Sequence, residues 1–372
     1  MRGARSIALA GGGTGGHLFP GIAVAQSFLG PGGGRPLLFG SGRALESGWV
    51  GEAAEAVALD APNLPAGARE LPRYLFRLAG AFADSLRVFR SRRAGLVVGL
   101  GGFASVAPGL AALATRRPLL LLEQNVVPGK ANRFLSALGG RVAVSFADAL
   151  AQLPAGARGR ARVLGNPIRP EVLAGVRDPA RYGLAADRPV LLVTGGSQGA
   201  GALNRALADA AEELGRAGVQ VLALTGVADE EMVRARLASA GVRAFVAAFR
   251  KDMGHLYRTA DLVLGRAGGT TLAELAALGR PAILVPYAHH SDRHQERNAG
   301  VLTRAGAARV VPEDELTGDR LAREVIGLIS GPGTLDRMAA AALRLGVPDA
   351  AERVAGFARE LVRGSGGRSR AR

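Results

Sequence analysis

The stretch Ala260 to Gln295, ADLVLGRAGGTTLAELAALGRPAILVPYAHHSDRHQ, reads as strand, glycine turn, helix, strand and polar loop in immediate succession. Leu262, Val263 and Leu264 form a short apolar run, and Gly265, Gly268 and Gly269 let the backbone turn sharply behind it and approach a ligand with no Cβ in the way. Thr270 and Thr271 fall where the N-cap of a helix is expected. A helix starting there directs its unpaired N–H groups and the positive end of its dipole over the glycines, a position suited to an anion such as a diphosphate. Glu274, one turn further on, is placed to accept hydrogen bonds from sugar hydroxyls. Pro281 opens a second apolar strand, Ala282 to Val285, whose C-terminal end delivers Tyr287, His289, His290, Asp292, His294 and Gln295. Polar groups from two strand ends then converge, as the ligand crevice of an open α/β sheet requires. Taken alone, the same residues also describe a tight strand-to-helix turn followed by a solvated acid. The remainder of the chain separates the two readings.

A length of 372 residues predicts two domains of ordinary size. No run approaches the roughly 20 apolar residues of a membrane span, and the N-terminus enters a strand without a signal-peptide pattern, so a cytoplasmic protein is expected. The absence of cysteine excludes disulfides, thiolate catalysis and cysteine-based zinc sites. A net charge of +16 points to nucleic acid or an anionic surface. Lys130 and Lys251 are the only lysines, however, and aromatic residues at 5% leave little for base stacking, so no nucleic-acid partner is expected.

The strand, glycine loop and helix pattern recurs. Ser6 to Ala10 runs into Gly11-Gly12-Gly13-Thr14-Gly15-Gly16-His17 and an apolar helix. This is not the spaced pattern of dinucleotide folds, and no acid follows at the distance needed to hold an adenosine ribose, so no nicotinamide cofactor is expected. Leu37 to Gly40 is a second strand, and Ser41 to Glu46 a turn into a helix. Leu71 to Arg93 sets Leu71, Leu75, Leu78, Phe82, Leu86 and Phe89 at helical spacing among arginines, either a core-facing stripe or, with Tyr74 and Phe76 off the stripe, a membrane-surface segment. Leu96 to Gly99, Gly101-Gly102, a helix, Arg117-Pro118, and Leu119 to Leu122 ending in Glu123-Gln124-Asn125 repeat the order of the quoted stretch, so the chain holds two related α/β halves. A helix after Pro128 and the strand Arg141 to Val144 complete the first half, and Gly165 to Pro170 is the linker candidate. The second half begins with Val190 to Thr194, then Gly195 to Gly201 and a helix containing Asn204. Strands Val219 to Thr225 and Val242 to Ala247 follow, the latter entering Phe249 to Met253, and Arg309 to Val311 adds a final short strand. Ala350 to Val362 is a terminal helix, and a basic, disordered tail is expected over residues 364–372.

There is no DxD pair for a divalent metal, no recognised zinc spacing and no P-loop lysine motif. A phosphate-bearing leaving group would rely on helix dipoles, backbone N–H groups and arginine, with Arg169 one candidate. His17 is the only histidine of the N-terminal half, beside a glycine turn at a helix start, and is the candidate general base, with Glu123 and Asp292 as rivals.

Together GGGTGGHLFPGIAVA, GLGGFASVAPGLAA, EQNVVPGKANRFL, GNPIR, VTGGSQGAGALN and the run from Lys251 to Ala299 resemble the MurG family of UDP-GlcNAc transferases, in order and along nearly the whole chain. The resemblance implies an α/β GT-B fold, two doubly wound Rossmann-like domains facing across a cleft. It implies an inverting, metal-independent glycosyltransferase with no cofactor. GlcNAc would pass from UDP-GlcNAc to the 4-hydroxyl of the muramyl sugar of undecaprenyl-diphosphate-MurNAc-pentapeptide in peptidoglycan synthesis. The expected place is the cytoplasmic face of the cell membrane, as a peripheral protein on an anionic surface. The domains implied are 1–166 for the acceptor and membrane, joined by the terminal helix at 346–363, and 167–345 for the donor. By similarity the donor touches Thr14, Gly15, Gly16, Asn125, Arg169, Ser197, Gln198, Gly199, Arg250, Met253, Gly269, Thr270, Thr271, Leu272, Ala273, Glu274 and Gln295, with His17 and Glu123 catalytic. Glu274 would take the ribose hydroxyls, Ser197 and the following amides the phosphates, and Asn125 and Gln295 the sugar. The family's histidine before Glu-Gln-Asn is here Leu122, which weakens any mechanism that needs a second imidazole there. Other GT-B enzymes that use a UDP-sugar, a glycolipid glycosyltransferase or a UDP-GlcNAc epimerase, would share the donor half; the GGGTGGH and EQN segments favour the transferase.

Overall fold

Short apolar runs bounded by glycine or proline become the strands, and a computed structural model of the chain arranges them in two parallel sheets. The structure describes residues 6–11, 15–30, 34–40, 54–62, 65, 67–196, 199–288 and 293–368, with only the backbone of 15 and 365–368. The first sheet has β1 (Ile7–Gly11), β2 (Leu37–Gly40), β3 (Glu55–Ala58), β4 (Leu96–Gly101), β5 (Leu119–Glu123), β6 (Arg141–Val144) and β7 (Ala161–Val163) in the order β3-β2-β1-β4-β5-β6-β7. The second has β8 (Val190–Thr194), β9 (Gln220–Leu224), β10 (Ala244–Ala247), β11 (Leu262–Gly265), β12 (Ala282–Leu284) and β13 (Ala308–Val310) in the order β10-β9-β8-β11-β12-β13. All pairings are parallel. Helices cover both faces of such sheets, so β1, β4, β5, β8, β9 and β11 are buried throughout. The edge strands β3 and β7 were not expected; they are short, carry Glu55 and Arg162, and are buried on one side at most.

The chain forms two compact units, Met1–Arg169 with Pro348–Arg372, and Pro170–Val347. The junction lies three residues beyond the expected 166/167, because Asn166, Ile168 and Arg169 are buried, Arg169 with its guanidinium 4.0 Å from the centroid of the Phe19 ring. The terminal helix Ala350–Arg368 adds Val354, Phe357 and Ala358 to the core that holds Ile7, Leu9, Ile22 and Leu120, and packs on the Gly15–Leu29 helix. Its backbone stays helical through Gly364 to Arg368, where a disordered tail was expected, although Gly364, Gly366 and Gly367 each disfavour a helix. Residues 369–372 lie outside the described residues, as does the turn expected over Ser41 to Glu46.

The Leu71–Ser91 helix divides along its length. Ala81, Ser85 and Phe89 are buried, Phe89 edge-on to Phe39 with centroids 5.5 Å apart, and Phe82 and Leu86 pack beside them. The first turns are not core: Leu71, Leu75 and Phe76 are 44%, 52% and 80% exposed. Arg77 is tied to Asp60, and Arg87 to Asp84 at 2.5 Å. Among the described residues no helix is long and apolar enough to cross a membrane.

Part of the arginine excess closes helices. The last carbonyls of a helix have no intrahelical donor, and a cation there also meets the negative end of the dipole. Arg117 donates to Phe89 O (3.5 Å) and to Ala94 O (3.1 Å) at the end of the Leu71–Ser91 helix. Arg160 donates to Ser136 O (2.8 Å), Arg158 to Ala151 O (2.9 Å) and Arg177 to Thr259 O (2.7 Å). Arg280 serves two helices, through Ala260 O (2.9 Å) beyond Met253–Thr259 and Leu278 O (3.0 Å) at the end of Gly269–Leu278. Replacing Arg280 by alanine strands both carbonyls and should lower the free energy of unfolding by about 1–3 kcal/mol, measured by urea titration. Lysine there should recover only part of the loss, since a point charge replaces a fork; a full recovery would show that charge alone matters.

Candidate active site

In each unit the strand order reverses at a switch point, between β1 and β4 and between β8 and β11, where the loops leaving the carboxyl ends of the strands diverge and leave a crevice. In the second unit β11 leads through Arg266, Ala267 and Gly268 into the Gly269–Leu278 helix. Gly268, extended at φ −72° and ψ 140°, is the N-cap, so Thr270 and Thr271 are not at the cap as expected but at the second and third helical positions. The chain turns directly off the strand end, and a Cβ on Gly268 would meet nothing nearer than the Thr271 hydroxyl at 3.9 Å, so the corner itself does not demand glycine. Leu272 N closes the first helical hydrogen bond, to Gly268 O at 3.0 Å, so Gly269, Thr270 and Thr271 are the residues whose N–H groups precede it. The Leu272 side chain is fully buried, which leaves it the least to offer a ligand in this run. Ala273 is half-buried, and Glu274 is buried in the second turn at the same helix end.

The loops after β11 and β12 are bound to each other. Gln295 Oε1 accepts from Ala267 N (3.3 Å) and from Tyr287 N (3.0 Å), which leaves its Nε2 as the group available to donate. Arg266 donates to Val285 O (3.2 Å) and to Glu313 Oε1 (2.5 Å), lies 5.2 Å from the Tyr287 ring centroid, and Glu313 Oε2 accepts from Ala288 N (3.2 Å). Asn298 Nδ2 donates to Ala267 O at 3.0 Å. After β8, Gly199 takes φ +73° with its Cα so close to the end of β9 that a Cβ would stand 2.2 Å from Thr225 O. Asn204 pins the same carbonyl from the following helix, Nδ2 to Thr225 O at 2.8 Å and to Asp229 Oδ2 at 2.7 Å.

Beyond β10, Arg250 makes a two-pronged bond to Asp252, Nε to Oδ1 and Nη2 to Oδ2, both 2.8 Å. Tyr182 Oη donates to Asp252 Oδ2 (3.0 Å) and Arg181 stands 3.2 Å from it. Asp252 is also the N-cap residue of the helix that begins at Met253. The Arg250 hydrogen bonds hold the Asp252 carboxyl at about 2, against an ordinary 3.8, while burial and the Asp252 bond push the Tyr182 hydroxyl up.

In the first unit, the imidazole of His17, in the first turn of the Gly15–Leu29 helix, lies against Gly101 at the end of β4. A Cβ on Gly101 would stand 3.2 Å from His17 Cδ2 and 3.6 Å from Nε2, and Gly101 has φ +94°, so only glycine serves there. Gly16 is exposed beside it and Gly15 opens the helix. Glu123 ends β5, 2% exposed, with Asn125 half-buried just beyond it. Arg169 belongs to this unit, not to the donor-side unit expected from the sequence, because its guanidinium packs on Phe19 of the His17 helix. Thus His17, Glu123, Asn125 and Arg169 all follow strand ends of the first sheet. Gly199, Arg250, Met253, Gly269 to Glu274 and Gln295 gather at the corresponding edge of the second. Thr14, Ser197, Gln198 and Asp292 lie outside the described residues.

Sequence reasoning missed Asn132, Tyr182, Asp252, Arg266, Asn298 and Glu313 as functional supports. The asparagines alone left a signal, a polar residue at an apolar position early in a helix that follows a strand-end loop.

Two doubly wound α/β units with these loops define a glycosyltransferase of the GT-B fold. Residues 7–144 match the glycosyltransferase family 28 N-terminal domain and residues 190–354 the family 28 C-terminal domain. The chain belongs to the MurG family within that group. It is 38% identical to the "UDP-N-acetylglucosamine--N-acetylmuramyl-(pentapeptide) pyrophosphoryl-undecaprenol N-acetylglucosamine transferase" of Desulfotalea psychrophila, covering 96% of this chain and 97% of the relative. It is 41% identical to the transferase of the same name from Methylobacterium nodulans, covering 96% of each. The crystal structure of Acinetobacter baumannii MurG superimposes with a TM-score of 0.75 at 26% identity, over 96% of this chain and 99% of that one. A UDP-GlcNAc 2-epimerase from Neisseria meningitidis, bound to UDP-GlcNAc, shares the fold at a TM-score of 0.63 and 14% identity, over 96% of this chain and 100% of that one.

The depressed Asp252 carboxyl gives a pH-dependent contribution to stability. It is present in full above the ordinary carboxylate range and is lost as pH falls from about 4 towards 2. With Arg250 more than a third exposed, solvent screening should reduce it to about 1–2 kcal/mol. Asp252→Asn should therefore be less stable than the parent at about pH 5 and nearly equal to it at about pH 2.5, compared by urea midpoints. A gap of the same size at both pH values would show that the ion pair is not its source.

Proposed function

We propose that this chain transfers GlcNAc, with inversion and without a metal, from UDP-GlcNAc to the 4-hydroxyl of the muramyl sugar of undecaprenyl-diphosphate-MurNAc-pentapeptide. The observation that carries the reading is 36–41% identity to transferases of that name along both units. In this reading the first turn of the Gly269–Leu278 helix faces the donor diphosphate, and Glu274 receives the ribose hydroxyls. Gln295 donates from Nε2 to the sugar, and Gly199 belongs to the phosphate loop with Ser197 and Gln198. The turn from Arg250 to Met253, braced by Asp252, receives the base. Asn125, Arg169, and Thr14 to Gly16 complete the donor contacts from the first unit. The test is radiolabelled UDP-GlcNAc with the lipid-linked muramyl-pentapeptide in excess EDTA. Labelled disaccharide lipid is expected; conversion of UDP-GlcNAc without acceptor would favour an epimerase, and strict dependence on added metal would overturn the metal-free reading.

His17 is the general base in this mechanism. A sugar hydroxyl is a poor nucleophile at neutral pH, and inverting attack on the anomeric carbon needs a base on the face opposite the leaving UDP. The bare backbone of Gly101 gives the imidazole room to pack at the end of β4. His17→Ala should reduce turnover by about 10²–10⁴-fold, with donor affinity near that of the parent in equilibrium binding. Turnover within a few-fold of the parent would make His17 a helix cap.

The acceptor is a bilayer lipid, and the first turns of the Leu71–Ser91 helix supply a means of docking on the cytoplasmic face of the membrane. Leu71, Leu75 and Phe76 are exposed, with Arg69 and Arg73 alongside, whereas Arg77 and Arg87 are held by acids and contribute less. Each arginine near an anionic surface contributes about 1 kcal/mol. Leu75→Ser with Phe76→Ser, or Arg69→Gln with Arg73→Gln, should release the protein from phosphatidylglycerol vesicles at low salt in a sedimentation assay. Undiminished binding by both pairs would remove this helix from the membrane contact.

A further inference from the structure

Glu123, the rival base, is placed for different work. Its Oε1 accepts from Asn125 N at 3.0 Å, and its Oε2 from Gly129 N at 3.0 Å and Asn132 Nδ2 at 2.9 Å. The Asn125 side chain donates to it as well. Both ends of the 125–129 loop are therefore closed on one buried carboxylate, which spends its lone pairs on protein donors; a base must keep one directed at the substrate. Burial pushes the Glu123 carboxyl up while these donors pull it down.

Asn132 carries the effect onward. Its second Nδ2 hydrogen goes to Leu122 O at 2.9 Å, so Glu123 and the β5 backbone fix the plane of its amide. That amide shares the bare surface of Gly101 with His17: a Cβ there would stand 3.9 Å from Asn132 Nδ2 and 3.6 Å from His17 Nε2. Asn132 Oδ1 is buried and has no hydrogen-bond partner among the described residues, so the fixed amide carries an unused acceptor.

We propose that Glu123 is a positioning residue for the transfer step: its buried carboxylate shapes the 125–129 loop and holds Asn132 beside His17, and it takes no proton from the acceptor. This rests on the reading of His17 as the base.

Glu123→Gln keeps the size of the side chain but turns an amide against N–H donors. It should lower kcat on the order of 10²-fold, raise the KM for UDP-GlcNAc by no more than about 10-fold through the loosened Asn125, and leave the acid limb of the pH profile where the parent has it. Asn132→Ala, which does not touch the carboxylate, should show the same split. The double variant should be no slower than Asn132→Ala alone, because the two residues act as one device. Losses that multiply, or an acid limb that disappears in Glu123→Gln, would overturn the proposal and return Glu123 to the role of base. A third arm needs no turnover: amide hydrogen exchange of 124–133 should quicken in Glu123→Gln while the second unit keeps parental protection. Unchanged exchange would overturn the positioning role even if the transferase reading held, and quickened exchange would support it even if that reading failed.

Discussion

Buried carbonyls at strand ends are the constraint on which both halves of this molecule depend. A parallel sheet delivers its ligand loops where the ladder stops, and the last carbonyls there have lost their partners while still shielded from water. Three times the chain answers with an asparagine early in the next helix or one nearby. Asn132 reaches Leu122 O, Asn204 reaches Thr225 O and Asn298 reaches Ala267 O, and all three residues are at most 2% exposed. Each amide satisfies a carbonyl and also joins a loop to a helix that is itself packed on the core. The loops that carry the chemistry are therefore held by the scaffold beneath them.

The division of labour between the units follows from repetition of one plan. Both sheets begin with strand order 3-2-1-4, counted within each unit, and both put glycine loops at the reversal. What differs is the chemistry beside those loops. The first unit has an imidazole on a glycine surface, and the second has a helix N-terminus with a buried acid in its second turn.

The central strands were legible because burial on both faces makes them continuous apolar runs, as in LVV of β4 and LLLL of β5. The edges were not, since Glu55 in β3 and Arg162 in β7 answer to solvent as much as to the sheet. His17, Glu274 and Gln295 stand out in the sequence because each is a polar residue next to a glycine turn or a strand end. Their supports do not. Tyr182 and Asp252 are 70 residues apart, and Arg266 and Glu313 are 47 apart, and no local pattern pairs them. The helix start at Gly268 was misread because threonine is the better cap by propensity, whereas the helix begins one residue before the first threonine, at Gly269. The Gly318–Ser330 helix was passed over although Leu321, Val325 and Leu328 mark its inner face at helical spacing.

At Arg117, Arg158, Arg160, Arg177 and Arg280 the cation that closes a helix end is a guanidinium and not an ammonium. A lysine ammonium loses its proton near pH 10.4, whereas arginine keeps its charge well beyond that. Burial pulls the Arg117 and Arg280 guanidinium groups below the ordinary arginine value, and with Lys130 and Lys251 as the only lysines none of these five caps is an ammonium group. The same choice makes the surface nearly blind to amine chemistry: acetylation, or an amine-reactive cross-linker, finds two lysine side chains, Lys130 and Lys251.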